Sequence, residues 1–216
     1  MDYKETRAYM NIQSLTERYA MLEVCAPDIE NALQVLITRC KAGGKLLLCG
    51  NGGSAADCDH IVGELMKGFL KSRPLNDDDR SRLCAAGGQN LAGVLQYGIP
   101  AISLCAHSAV LSAFANDVAP EAVYAQLMFA YANKTDTAIC LSTSGNSENV
   151  VNAAIAAAAK GVFVISMTGE RPSRLSQVSD ITIKVPETET FKVQELHLPV
   201  YHYLCAALEE ALFPSC

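Results

Sequence analysis

The chain has 216 residues, half of them hydrophobic, and its 17 Lys+Arg against 23 Asp+Glu leave a formal net charge of −6. That length suffices for a sizeable core in one α/β domain with a helical extension, and a negative chain without a run of Lys or Arg is a poor direct partner for nucleic acid. Nine cysteines, odd in number and without a C-x-x-C pair, exclude a disulfide framework; most sit in apolar runs where a free thiol packs as a small hydrophobe, which fits a reducing cytoplasm.

The N-terminal stretch MDYKETRAYMNIQSLTERYA is charged and amphipathic, with no apolar signal core, and no later run is long enough to span a bilayer, so a soluble, cytoplasmic protein is expected. Residues 1–44 read as two helices, 2–25 and 28–40, on either side of Ala26-Pro27, with glycine closing the second. Both are amphipathic and lie outside the sheet pattern, so their apolar faces call for a partner and the segment is assigned to oligomerisation. The main domain is expected to span residues 45–216.

Apolar runs at 45–49, 99–105, 137–141, 162–167 and 181–185 predict five strands, and the segments 54–70, 121–132, 147–159 and 171–178 between them predict helices. Near-continuous apolar strands alternating with helices specify an α/β fold: a parallel sheet covered on both faces, a three-layer sandwich. KSRPLNDDDRSRL interrupts the pattern and reads as a solvated loop in which Asp77, Asp78 and Asp79 suit a helix start. The last segment, 191–213, is helical by composition, with Pro199 expected to kink it or mark its first turn.

Two turns carry chemistry. Gly50-Asn51-Gly52-Gly53-Ser54 joins the first strand to a helix, with Ser54 and Asp57 spaced as a capping pair. Gly50-x-Gly52-x-x-Ala55 also has the dinucleotide form, but the acidic residue that reading needs some twenty residues on would fall in KGFLKSRPL, which is neither strand nor acidic. CLSTSGNSENVV follows the third strand, and Ser142, Thr143, Ser144 and Ser147 set four hydroxyls around a turn whose amides and helix dipole favour an anion. An ordinary helix cap needs one such residue; four with Gly145 make a phosphate cradle.

His60 and Glu64, four apart, share one helix face, and Gln194 and His202, eight apart, share roughly one stripe of the last helix. His197 falls off that stripe and reads as structural. A His and a Glu at this spacing are more often a solvated pair than a site; the two turns tip the balance.

In unbroken order, CGNGGSAAD, His60-x-x-x-Glu64, STSGNS and VQELHLPVYH resemble the sugar isomerase (SIS) domain family, and within it the sedoheptulose-7-phosphate (phosphoheptose) isomerases. The resemblance implies a five-stranded parallel, flavodoxin-like sheet between helices, with N-terminal helices used in tetramer assembly. It implies a metal, usually zinc, held by His60, Glu64, Gln194 and His202, with Glu64 and His202 also moving protons. The phosphosugar would meet Asn51, Gly52, Gly53 and Ser54 at one turn, Ser142, Thr143, Ser144 and Ser147 at the other, and Gln194. The chemistry is aldose–ketose isomerisation through an enediol(ate), with Glu64 as base and His202 as acid.

Two positions depart from the family: Gly68 stands where an arginine is common, and His107 where an aspartate is common. A non-catalytic SIS protein that binds a phosphosugar, or a replication-initiator-associated regulator, is the alternative, though a pure adaptor has no need of a base and an acid. A metal-dependent hydrolase comes third, because H-E-x-x-H is absent and the serine turn would go unexplained.

Overall fold

The computed structural model describes residues 11–214. The predicted first helix therefore begins outside the described residues. From Asn11 onward the chain forms α1 (Ile12–Arg18), a 3-10 turn (Ala20–Cys25) and α2 (Ala26–Lys41), so the helix expected to run to residue 25 breaks after Arg18. Pro27 does not separate two helices from outside but sits in the first turn of α2, where its missing N–H costs nothing.

Five parallel strands follow: β1 (Leu46–Cys49), β2 (Ala101–Ser103), β3 (Thr137–Leu141), β4 (Phe163–Thr168) and β5 (Ile181–Lys184). Their order in the sheet is β2-β1-β3-β4-β5. Every residue of β1 and β3 is buried, as a sheet covered on both faces requires. Alternate side chains feed two cores. Leu46, Leu48, Ile139 and Leu141 pack with α2 and with α3 (Gly53–Met66), while Leu47, Cys49, Ala138 and Cys140 face the other way.

On that second face lie α7 (Val123–Tyr131), α8 (Glu148–Ala159) and α9 (Arg174–Val178). The first face is closed by the long α10 (Thr190–Leu212), which runs through a buried Pro199 and packs on α2, α3 and α1. The apolar face of α2, expected to await another subunit, is thus satisfied within the chain: Ile29, Ala32, Leu33 and Leu36 join the core beside Tyr201 and Leu204.

Several boundaries shift for local reasons. The second strand contributes only three residues before Leu104–Ala106 winds into a 3-10 turn, and α3 stops at Met66 because Lys67 is extended. Pro120–Ala122 is a 3-10 turn ahead of α7, and α9 begins at Arg174, behind a Ser173–Ser176 capping box. The acidic stretch opens a genuine helix, α4 (Asp77–Ala85), capped by Asn76, with a single turn α5 (Gln89–Ala92) after it. The helix α6 (Ser108–Asp117) was not expected: none of its residues is fully buried, and only a short stripe of Leu111, Phe114 and Ala115 packs against the second core.

The loop after α3 is pinned from below. Glu209, 1% exposed, accepts from the amides of Phe69 (2.9 Å), Leu70 (2.8 Å) and Lys71 (3.1 Å) and from Arg73 Nε (2.7 Å). Arg73 also donates to the Leu65 carbonyl at the end of α3. The eight described cysteines are free thiols. No helix among the described residues is long and apolar enough to cross a membrane.

Candidate functional site

The strand order reverses between β1 and β3, and connections from those two strands leave toward opposite faces, which opens a crevice beyond their carboxyl ends. The glycine turn leaves β1 there and the serine turn leaves β3. They are clasped by a reciprocal amide pair, Asn51 Nδ2 to Asn149 Oδ1 at 2.8 Å and Asn149 Nδ2 to Asn51 Oδ1 at 2.9 Å. Asn149 gave no signal in the sequence, because a single Asn in the first turn of a helix is ordinary.

In the glycine turn the helix cap is Gly52, at φ +54°, a left-handed conformation that favours glycine. The expected Ser54/Asp57 capping pair does not form: no side chain caps α3, and Ser54 is buried inside its first turn. Gly50 O accepts from Tyr124 OH at 2.7 Å, which fixes the turn on α7. A Cβ on Gly53 would fall 2.5 Å from Gln194 Nε2, so the absent side chain is what lets the Gln194 amide lie on the turn.

In the serine turn the buried Ser142 Oγ accepts from Gly145 N at 3.1 Å and stands 3.1 Å from Ser147 Oγ. Ser144 is exposed and accepts from Asn146 N. The Thr143 carbonyl accepts from Gly169 N, tying the turn to the end of β4. Ser147 is the N-cap of α8, yet its hydroxyl makes no cap bond and remains directed at Ser142. Gly145 sits at φ +64° with Ser173 Oγ only 2.3 Å from where a Cβ would lie, so the turn closes tightly by having none. At its mouth Arg174 holds both oxygens of Glu148.

Further along α3, His60 Nε2 is 3.2 Å from Glu64 Oε1 and 3.4 Å from His202 Nε2 on α10. Tyr201 OH donates to Asp57 Oδ1 at 3.2 Å and lies 3.1 Å from His60 Nδ1. Lys67 Nζ takes the other Glu64 oxygen at 3.0 Å. Phe69 stacks obliquely on His202, ring centres 5.8 Å apart. Burial, with His60 beside it, holds His202 below the ordinary histidine range, so the ring is neutral at pH 7. Burial lowers His197 further, to about 4, as suits a neutral core histidine off the reactive stripe.

Three of the four expected metal donors therefore meet, while the fourth, Gln194, lies at the glycine turn, eight residues and about 12 Å of helix from His202. Among the described residues no group of three or more His, Cys, Asp or Glu is placed so as to hold a metal ion. The donor types nonetheless suit zinc. Donors bound at ~2.0–2.1 Å in a tetrahedron stand ~3.3 Å apart, and the two separations measured from His60 Nε2 are 3.2 and 3.4 Å.

The two departures have physical reasons or places. A Cβ on Gly68 would stand 2.2 Å from the Lys71 carbonyl, so no side chain fits there, and Lys67 is the cation that reaches Glu64. His107 caps α6 just beyond β2 and packs on Tyr131, ring centres 5.4 Å apart.

A model of the SIS domain matches residues 10–80 and 81–169. The phosphoheptose isomerase of Rhodospirillum rubrum is 35% identical over 96% of this chain and 97% of its own length, and that of Halorhodospira halophila is 33% identical over 99% and 98%. Among solved structures, a phosphoheptose isomerase from Francisella tularensis superposes with a TM-score of 0.74 at 25% identity, covering 92% of this chain and 93% of that one. The phosphoheptose isomerase of Neisseria gonorrhoeae gives 0.72 at 24% identity, over 92% and 94%. With the family model matched over most of the chain and 33–35% identity at near-complete coverage in both directions, the chain belongs to the SIS domain family and, within it, to the phosphoheptose isomerases.

Proposed function

We infer that this protein is an aldose–ketose isomerase of phosphosugars, interconverting sedoheptulose 7-phosphate and a heptose 7-phosphate. The observation that carries the reading is the meeting of His60, Glu64 and His202 across α3, which begins at the glycine turn, and α10, whose Gln194 lies on that turn. The serine turn takes the phosphate, Asn51, Gly52, Gly53, Ser54 and Gln194 approach the sugar, and Glu64 moves a proton between the carbon next to the carbonyl and the carbonyl carbon itself. His202, neutral with a proton to give, serves the oxygens of the enediol(ate). Lys67 Nζ, 3.0 Å from the second Glu64 oxygen, orients the carboxylate. Holding the phosphate at a fixed distance from Glu64 supplies the positioning.

His60, Glu64 and His202 would hold zinc, and its chemistry here is polarisation of the carbonyl. Incubating the protein with ketose phosphates of different chain lengths, with the dephosphorylated sugars as controls, tests the reading. Aldose products should appear only from phosphorylated ketoses and fastest from the heptulose; conversion of the unphosphorylated sugars at the same rate contradicts it.

Ser144→Ala and Ser147→Ala should each weaken phosphosugar binding by ~1.5–3 kcal/mol, the loss expected for a hydrogen bond to a charged group, while inorganic phosphate competes with substrate in the unmodified protein. Calorimetry checks this, and unchanged affinity in both variants removes the serine turn from the site. A tetramer, with the site completed by a neighbouring subunit, is part of the same reading. A cavity of about 420 Å³ between α1 and α10 opens beside His202, with Leu198 exposed at its edge. Light scattering run alongside kinetics decides: a fully active monomer rules the shared site out.

A further inference from the structure

Tyr201 has one hydroxyl proton, and two acceptors stand within its reach. Its oxygen is 3.2 Å from Asp57 Oδ1 and 3.1 Å from His60 Nδ1. All three groups lie between α3 and α10: Asp57 and His60 are one turn apart on α3, and Tyr201 is 2% exposed on α10. A carboxylate has only acceptor positions, so the hydroxyl proton goes to Asp57. The remaining contact is then satisfied only if His60 carries its proton on Nδ1 and donates it to the tyrosine oxygen.

The geometry points to Tyr201 and Asp57 as positioning residues that fix His60 in the Nδ1–H tautomer and leave its Nε2 lone pair aimed at Glu64 and His202. That lone pair faces a carboxylate oxygen 3.2 Å away and a second imidazole nitrogen 3.4 Å away. With its own proton held on the far side of the ring, Nε2 is free as a donor toward a cation shared with Glu64, or as the acceptor of a proton from His202. Were the proton on Nε2, it would be committed to Glu64, and the base would be engaged on both oxygens, by His60 and by Lys67. The arrangement has the logic of a carboxylate that orients a ligating histidine, here with a tyrosine inserted between them. Asp57 Oδ2 is buried without a hydrogen-bond partner among the described residues, so the carboxylate's one bond from a side chain is the one to Tyr201.

The proposal rests on the isomerase reading only for its consequence in catalysis; the tautomer itself is read without turnover. The chain has four histidines, few enough to assign one by one in long-range nitrogen–proton NMR spectra with His→Asn variants. At pH about 8, above the ordinary histidine pKa, His60 of the unmodified protein should show protonated Nδ1 and bare Nε2. Asp57→Ala frees the hydroxyl to donate to Nδ1 and should invert the tautomer, whereas Asp57→Asn, whose carbonyl can still accept from Tyr201, should restore it. Tyr201→Phe removes the acceptor and should leave a mixture. Zinc affinity, measured by calorimetry on the metal-free protein, should fall about 10–100-fold in Asp57→Ala and Tyr201→Phe, the usual effect of losing an orienting partner, and recover in Asp57→Asn. Nε2–H in the unmodified protein, or a tautomer indifferent to Asp57→Ala, overturns the assignment even if the protein isomerises sugars. The expected tautomers in a protein that turns over no phosphosugar leave the assignment standing and sink the functional reading instead.

Discussion

Replacing Glu64 by glutamine should lower turnover by about 10²–10⁴-fold, the range for removal of a general base, while phosphosugar binding and folding stay near those of the unmodified protein. Glutamine keeps the length and a hydrogen-bonding oxygen for Lys67 but cannot accept a proton from carbon. Structural damage is a poor explanation for the loss, because the Lys67 partner is 60% exposed and such a pair contributes ~0–1 kcal/mol. Binding should survive because the phosphate is held at the serine turn, on a different element. Comparing kcat with substrate affinity checks the expectation, and turnover within tenfold of the unmodified protein would remove Glu64 from the role of base.

The largest stability effect should come from Glu209→Ala. Truncation strands three backbone amides and the guanidinium of Arg73, whose side chain is fully buried. Breaking a buried ion pair by removing one partner costs ~3–5 kcal/mol, since the remaining charge keeps its desolvation penalty. For a chain of this size that lowers Tm by about 6–20 °C. Replacing both partners, as in Arg73→Met with Glu209→Leu, should recover only part of the loss, because the amides of Phe69, Leu70 and Lys71 still lack an acceptor. The same loop delivers Lys67 to Glu64 and Phe69 to His202, so activity should fall ahead of global unfolding. A Tm loss of under about 2 °C in Glu209→Ala contradicts this account of the loop.

The sheet was legible because its inner strands are buried on both faces and spell that out as LLLC and TAICL. What failed was local. The run 99–105 is apolar apart from Ser103, but only Ala101–Ser103 pair with a neighbour, and periodicity does not distinguish a strand from the 3-10 turn that follows. Helix α6 buries no residue fully, and its stripe of Leu111, Phe114 and Ala115 is too short to stand out from the apolar residues around it. Ser54 has the residue type and spacing of a cap, yet a glycine at positive φ does that work one turn edge earlier.

At the site, spacing along single helices revealed His60 with Glu64 and Gln194 with His202, because those pairs repeat at the helical period. It did not reveal Asn149, Lys67 or the Tyr201–Asp57 contact. Each of those depends on how two separate elements pack or where a helix ends, and their residue types are common on any helix surface. Gly68 illustrates the same limit: read as a missing arginine, it is the residue a 2.2 Å approach of the Lys71 carbonyl demands.

The most direct measurement is a proton NMR time course of sedoheptulose 7-phosphate with the purified protein, beside Glu64→Gln at equal concentration. The account predicts that resonances of an aldose heptose 7-phosphate grow to equilibrium with the unmodified protein and stay at background with the variant. Saturable binding of the ketose phosphate without any aldose, even at stoichiometric protein, would contradict it and identify a phosphosugar-binding protein in place of an isomerase.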